Sequence, residues 1–134
     1  MWKEIDNTEA VRALYKDKMP SFFDVNIVEC TIITGEDIEI HLKFDTDEMP
    51  NNLPQKWTDR KVNTVQFIIG CLCVEFVHLD LNNGFHHNMR LSIGKEVNEK
   101  KYVRIFNNQG EIKMSLFSRW IYIRSISGYH RDVL

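Results

Sequence analysis

The stretch from Asp37 to Phe44 constrains the fold most. Ile38, Ile40, Leu42 and Phe44 alternate there with Asp37, Glu39, His41 and Lys43. Successive side chains on a β-strand point to opposite faces, so this pattern predicts a half-buried antiparallel strand with one wet face. The segment before it, Asp24 to Thr34, is rich in Val, Ile and Thr, and Gly35-Glu36 between the two reads as a hairpin turn. Composition carries the argument along the chain. Ile and Val together supply 24 of 134 residues against two Ala, which favours pleated surface over helix.

One helix is expected near the N-terminus. Asp6 stands as its cap with Glu9 three residues on, a capping box with Asp in the Ser/Thr place. Ala10, Val11, Leu14 and Tyr15 follow at helical spacing, and Pro20 bars continuation. Residues 45–61 read as a polar loop holding two of the three prolines, with Trp57 folded back onto the body. Further strands are expected at Val62–Ile69 and Cys71–Leu81, separated by a break or bulge at Gly70. Asn82-Asn83-Gly84 is a turn, followed by a strand from Asn88 to Ile93. Tyr102–Phe106 and Glu111–Phe117 flank a hairpin at Asn107-Asn108-Gln109-Gly110. The last strand, Arg119–Ile126, puts Trp120, Tyr122, Arg124 and Ile126 on one face and Ile121, Ile123 and Ser125 on the other. The expected class is α+β, mainly β: about eight antiparallel strands in a curled sheet or sandwich with one N-terminal helix, as a single domain over residues 1–134.

Charge and cysteine usage narrow the function classes. Lys plus Arg is 17 and Asp plus Glu is 19, a net charge of −2. That balance speaks against a nucleic-acid binder with a basic stripe and against a polybasic membrane anchor. The start, Met-Trp-Lys-Glu-Ile-Asp, lacks the basic and apolar regions of a signal peptide. The longest apolar run, Val65 to Val77, is broken by Gln66, Gly70 and Glu75, short of the roughly 18 apolar residues of a membrane helix. A cytosolic protein is expected. Three cysteines cannot close a disulfide framework within one chain. Cys71 and Cys73 share a face on a strand, but no second ligand pair follows at a zinc spacing, so all three read as buried thiols.

Candidate chemistry is sparse. His78 and Asp80 share a strand face, and the turn after them brings His86 or His87 alongside, which sketches a His/Asp metal site near residues 78–87. The plain alternative is a polar turn. Ser127, His130 and Asp132 crowd the C-terminus, but a tail is poor ground for a preorganised triad. No phosphate loop, HExxH, CxxC or dinucleotide fingerprint occurs. Asp45, Asp47 and Glu48 sit in the proline-rich loop and make an exposed acidic knob suited to a basic partner. Trp2, Phe22, Phe23, Trp57, Phe85, Trp120, Tyr122 and Tyr129 serve either as core or as interface anchors.

The order of features resembles a known family. Trp2-Lys3-Glu4-Ile5 precedes the helix, and Met19-Pro20-Ser21-Phe22-Phe23-Asp24-Val25 leads into the hairpin. Trp57 precedes Val62-Asn63-Thr64-Val65, and Arg124-Ser125-Ile126-Ser127-Gly128-Tyr129 closes the pattern. This is similar to the immunity protein 50 family of bacterial polymorphic toxin systems. In that pattern the Pro-Ser-Phe segment is commonly followed by His-Asp, and here Phe23 stands in the His place. The resemblance implies a cytosolic antidote that binds one cognate toxin domain and blocks it sterically, with no cofactor and no catalysis. The family-like residues Ser21, Phe22, Asp24, Trp57, Asn63, Gly128 and Tyr129 are expected to maintain the fold, Gly128 through a positive φ. Two other readings stay open: a small metal- or ligand-binding β domain, and a structural module that oligomerises through an exposed edge strand.

Overall fold

The alternating segment forms the strand Glu39–Thr46 (β2), in which Ile40, Leu42 and Phe44 are fully buried. It pairs antiparallel with Asn26–Ile33 (β1), Ile32 lying opposite Ile40 and Cys30 opposite Leu42. The computed structural model describes residues 1–85 and 87–132. Four further strands follow among them: Thr64–Leu79 (β3), Arg90–Lys95 (β4), Lys101–Phe106 (β5) and Ile112–Tyr129 (β6). One sheet results, in the order β1-β2-β3-β6-β5-β4, with every neighbouring pair antiparallel. A 3-10 turn at Trp2–Glu4, the helix Glu9–Tyr15 (α1) and the short helix Gln55–Asp59 (α2) complete it.

The class is α+β and mainly β, but the expected architecture is overturned. Six strands replace eight among the described residues, because β3 and β6 run unbroken where the sequence suggests a stop at Gly70 and at Ser118. Gly70 is not a break. The Tyr122 ring lies across its backbone, where any Cβ would collide. Ser118 is also absorbed, its hydroxyl donating to the carbonyls of Leu72 and Trp120 at 2.8 Å each. The sheet is neither a sandwich nor curled closed, for β1 and β4 do not pair as strands. A lone bridge, Val25–Met89, joins the chain just outside them. The bulge at Val28 follows directly, and a bulge bends its strand.

Asp6 does not cap α1, whose N-cap position is Thr8. Its backbone N–H instead donates to Ile121 O at 2.8 Å, and its carbonyl accepts from Ile123 N at 3.0 Å. β6 outruns β5, and Asp6 satisfies backbone groups that β5 leaves open. Residues 45–61 are not all loop either, since α2 seats Trp57 in the core at 6% exposure.

The core lies between one face of the sheet and the N-terminal segment. Phe22 is its centre, edge-on to Phe44 at 4.9 Å and to Phe67 at 5.1 Å, with Trp2 tilted against it at 5.2 Å. One β6 face assignment changes. Ile68 pairs with Ser125 but Ile69 with Ile123, so Arg124 is an extra residue on β6. Side chains alternate, so the bulge brings Ile126 onto the core side with Ile121 and Ile123.

Candidate functional site

Antiparallel order gathers one end of four elements: the start of β1, the end of β2, the start of β3 and the end of β6. The Val25–Met89 bridge adds the residues just before β4. A groove of about 470 Å³ lies there, lined by Asp24, Asn26, Asp45, Thr46, Asp47, Asn63, Thr64, His87, Asn88, Arg131 and Asp132. Four aspartates thus face one arginine and one histidine across a surface rich in amides. Asp24, Asp47 and Asp132 are exposed.

Asp45 forms the groove's inner wall. It is 4% exposed, accepts from Gln66 Nε2 at 2.9 Å, and takes a hydrogen bond from the Tyr129 hydroxyl. Burial, and next the Asp45 carboxylate, push the Tyr129 pKa up to about 12. Asn63 ties down the segment after β6. Its amide donates to Arg131 O at 2.8 Å and its Oδ1 accepts from Arg131 N at 2.8 Å. Asn88 N–H reaches Asn26 Oδ1 at 3.3 Å across the open end.

The acidic knob does not exist as a knob. Asp45 is buried, and Glu48 is turned inward, its Oε2 accepting from Ser21 N at 2.9 Å and Ser21 Oγ at 3.1 Å. The Glu48 carbonyl also accepts from the Tyr15 hydroxyl at 2.7 Å. Two donors from Ser21 stand in for water at this carboxylate. Asp47 alone of the three faces solvent.

The remaining family-like residues pack or brace. Ser21 holds the turn, its hydroxyl also accepting from Phe23 N at 3.3 Å. Phe22 has φ 59°, which drops its ring into the core and leaves Phe23 72% exposed. Trp57 lies on Gly128, where an added Cβ would stand 2.9 Å from the indole and 2.7 Å from Val62. Gly128 therefore needs space and not a positive φ, which it does not adopt.

The other candidate clusters do not assemble among the described residues. Asp80 accepts from Asn82 N at 2.9 Å and faces Lys113 Nζ at 3.4 Å, and its pKa is lowered chiefly by that Asn82 bond. His78 and His87 are exposed, and His86 lies outside the described residues. No three His, Cys, Asp or Glu among the described residues are placed to hold a metal. His130 is occupied by Lys61 O at 2.9 Å and Asp132 at 3.2 Å, not by Ser127. The Cys71 thiol is pushed up to about 12 by burial first and by Cys30 second, and Cys30 is raised by burial. Such thiols stay protonated and inert at neutral pH. Asn26, Thr46, Asn88 and Arg131 carry no local signal of their own, while His87 stands out only as a metal-ligand candidate and Thr64 only within the family-like segment. Only the strand order reveals them as groove residues.

The family model described as Immunity protein 50 matches residues 7–129. The chain belongs to that family. The match takes in Asp24, Asp45, Asp47 and Asn63 of the groove and every family-like residue named above, while Trp2-Lys3-Glu4-Ile5 falls outside it. No curated protein and no solved structure matches the chain. Members of the family are immunity proteins and not enzymes. Among the described residues no helix is long and apolar enough to cross a membrane.

Proposed function

We propose that this immunity protein neutralises one cognate toxin domain by binding it one-to-one in the cytosol and covering its working surface, with the groove as a contact. The observation that supports this reading is the convergence of Asp24, the neighbouring Asp45 and Asp47, and Asp132, from three segments distant in sequence, on one concave end of the sheet. Carboxylates concentrated in a cleft steer and hold a positively charged partner even where net charge is small. Asp24 and Asp47 are assigned as the contact residues, because both are exposed, whereas the likewise exposed Asp132 is engaged by His130 at 3.2 Å. Asp45 supports them from behind through Tyr129 and Gln66. Free cysteines on an interior strand fit a reducing compartment.

The test is capture of partners by the tagged chain from its native cells, read by mass spectrometry, followed by a protection assay. Recovery of one toxin domain in equal amount supports the reading, and recovery of bait alone from cells expressing a candidate toxin overturns it. Asp24→Lys with Asp47→Lys is expected to weaken binding at least tenfold while the fold is kept. Full protection by that double variant removes the groove from the interface.

A further inference from the structure

We infer that β1 is a strand-addition edge, onto which an extended basic segment of the toxin domain pairs. This rests on the toxin-binding reading above and names its mode. β1 ends the sheet, and closure toward β4 stops at the Val25–Met89 bridge and the Asn88–Asn26 bond. From Val28 to Ile33 no strand among the described residues pairs with its far side. The opposite edge is better covered, for Leu91 N–H at the start of β4 donates to Phe22 O at 2.9 Å.

Free edges are normally blunted by lysine, proline or a bulge. β1 has its bulge at Val28, but Glu29-Cys30-Thr31-Ile32-Ile33 beyond it stays in unbroken register with Lys43–Glu39 and holds neither Lys nor Pro. Val28, Ile32 and Ile33 are 53%, 43% and 40% exposed. Ile32 and Ile33 point to opposite faces, so an added strand gains apolar contact on both.

Charge selects the occupant. Between Lys18 and Lys43, residues 19–42 carry five carboxylates, Asp24, Glu29, Glu36, Asp37 and Glu39, and no Lys or Arg; Lys43 pairs with Glu29 at 3.4 Å and leaves the other four in excess. A second copy would bring this acidic hairpin, through Asp24, Glu36 and Asp37 at its two ends, against its own like, whereas a lysine- or arginine-flanked strand is attracted. The edge is also continuous with the groove, since Asp24 and Asn26 line it at the start of β1.

The experiment is amide hydrogen exchange on the full chain, free and bound to the purified toxin domain recovered by the capture above. Slowed exchange at alternate amides of residues 28–33 on binding, with Glu36→Lys and Asp37→Lys weakening affinity at least tenfold, supports strand addition. A tight complex whose protection is confined to the groove overturns strand addition and leaves the toxin-binding reading intact. Protection of the same amides in the free chain that grows with its own concentration also overturns it, in favour of self-pairing. Capture of no toxin domain overturns the toxin-binding reading and this inference together.

Discussion

Gly128 and Trp57 explain each other. The indole lies where a Cβ on residue 128 would stand, so side-chain volume at the one position is excluded by the other. Gly128→Ala is expected to cost about 1–3 kcal/mol by overpacking, read from urea unfolding. An unchanged midpoint would mean that the contact gives way freely. A pH effect arises at the same scale. Tyr129 ordinarily titrates at 10.0 and in the fold at about 12; Cys71 moves from 9.0 to about 12; Tyr15 is raised as well. Each is protonated in the folded chain at pH values where the unfolded chain has lost the proton. The folded state therefore binds more protons, and its stability falls as pH rises between about 9 and 12. Urea midpoints across that window test the slope, and Tyr129→Phe should flatten its upper part. A flat wild-type profile would contradict the raised values.

At the scale of elements, the molecule is organised by β3 and β6, and this is where the sequence reads least clearly. Alternation finds β2 to within two residues at each end, because fully buried Ile40, Leu42 and Phe44 alternate with half-buried Glu39, His41 and Lys43. It fails on β3 and β6, since nothing local says that Gly70 sits under Tyr122 or that Ser118 bonds Leu72 across the ladder. Both facts are properties of the pairing. α2 is hidden for a related reason, being five residues held by the burial of Trp57 and not by helical periodicity. The groove was half legible. Asp24, Asp45, Asp47 and Asn63 stand out one by one, yet their convergence requires the strand order. The Arg124 bulge offers a direct test of register. Arg124→Ala, at an exposed side chain, should change stability by no more than about 0.5 kcal/mol. Deleting Arg124 should leave a regular ladder, because Ser125 alone then separates Ile123 from Ile126 and Ile126 stays on the core face, so cooperative unfolding is expected to be retained. Loss of cooperative unfolding on that deletion would mean that the fold requires the bend made by the bulge and not only the alternation.

At the scale of the whole molecule, net charge conceals the distribution that matters. The total is −2, yet the β1–β2 hairpin and the adjoining groove concentrate carboxylates at one side of the sheet. Long-range attraction toward a basic toxin domain then comes from this local field, which salt screens within about 10 Å at 0.1 M and about 3 Å at 1 M. The association rate with the captured toxin domain is therefore expected to fall at least tenfold between 50 mM and 500 mM salt, while dissociation changes far less. Stopped-flow mixing or surface binding kinetics reads both rates. Asp24→Asn with Asp47→Asn should lower the rate at low salt and reduce its salt dependence, because those two carboxylates are exposed and form part of the field. An association rate indifferent to salt would take the acidic surface out of the encounter. Protection would then depend on apolar contacts alone, and the exposed Val28, Ile32 and Ile33 would be the first place to look for them.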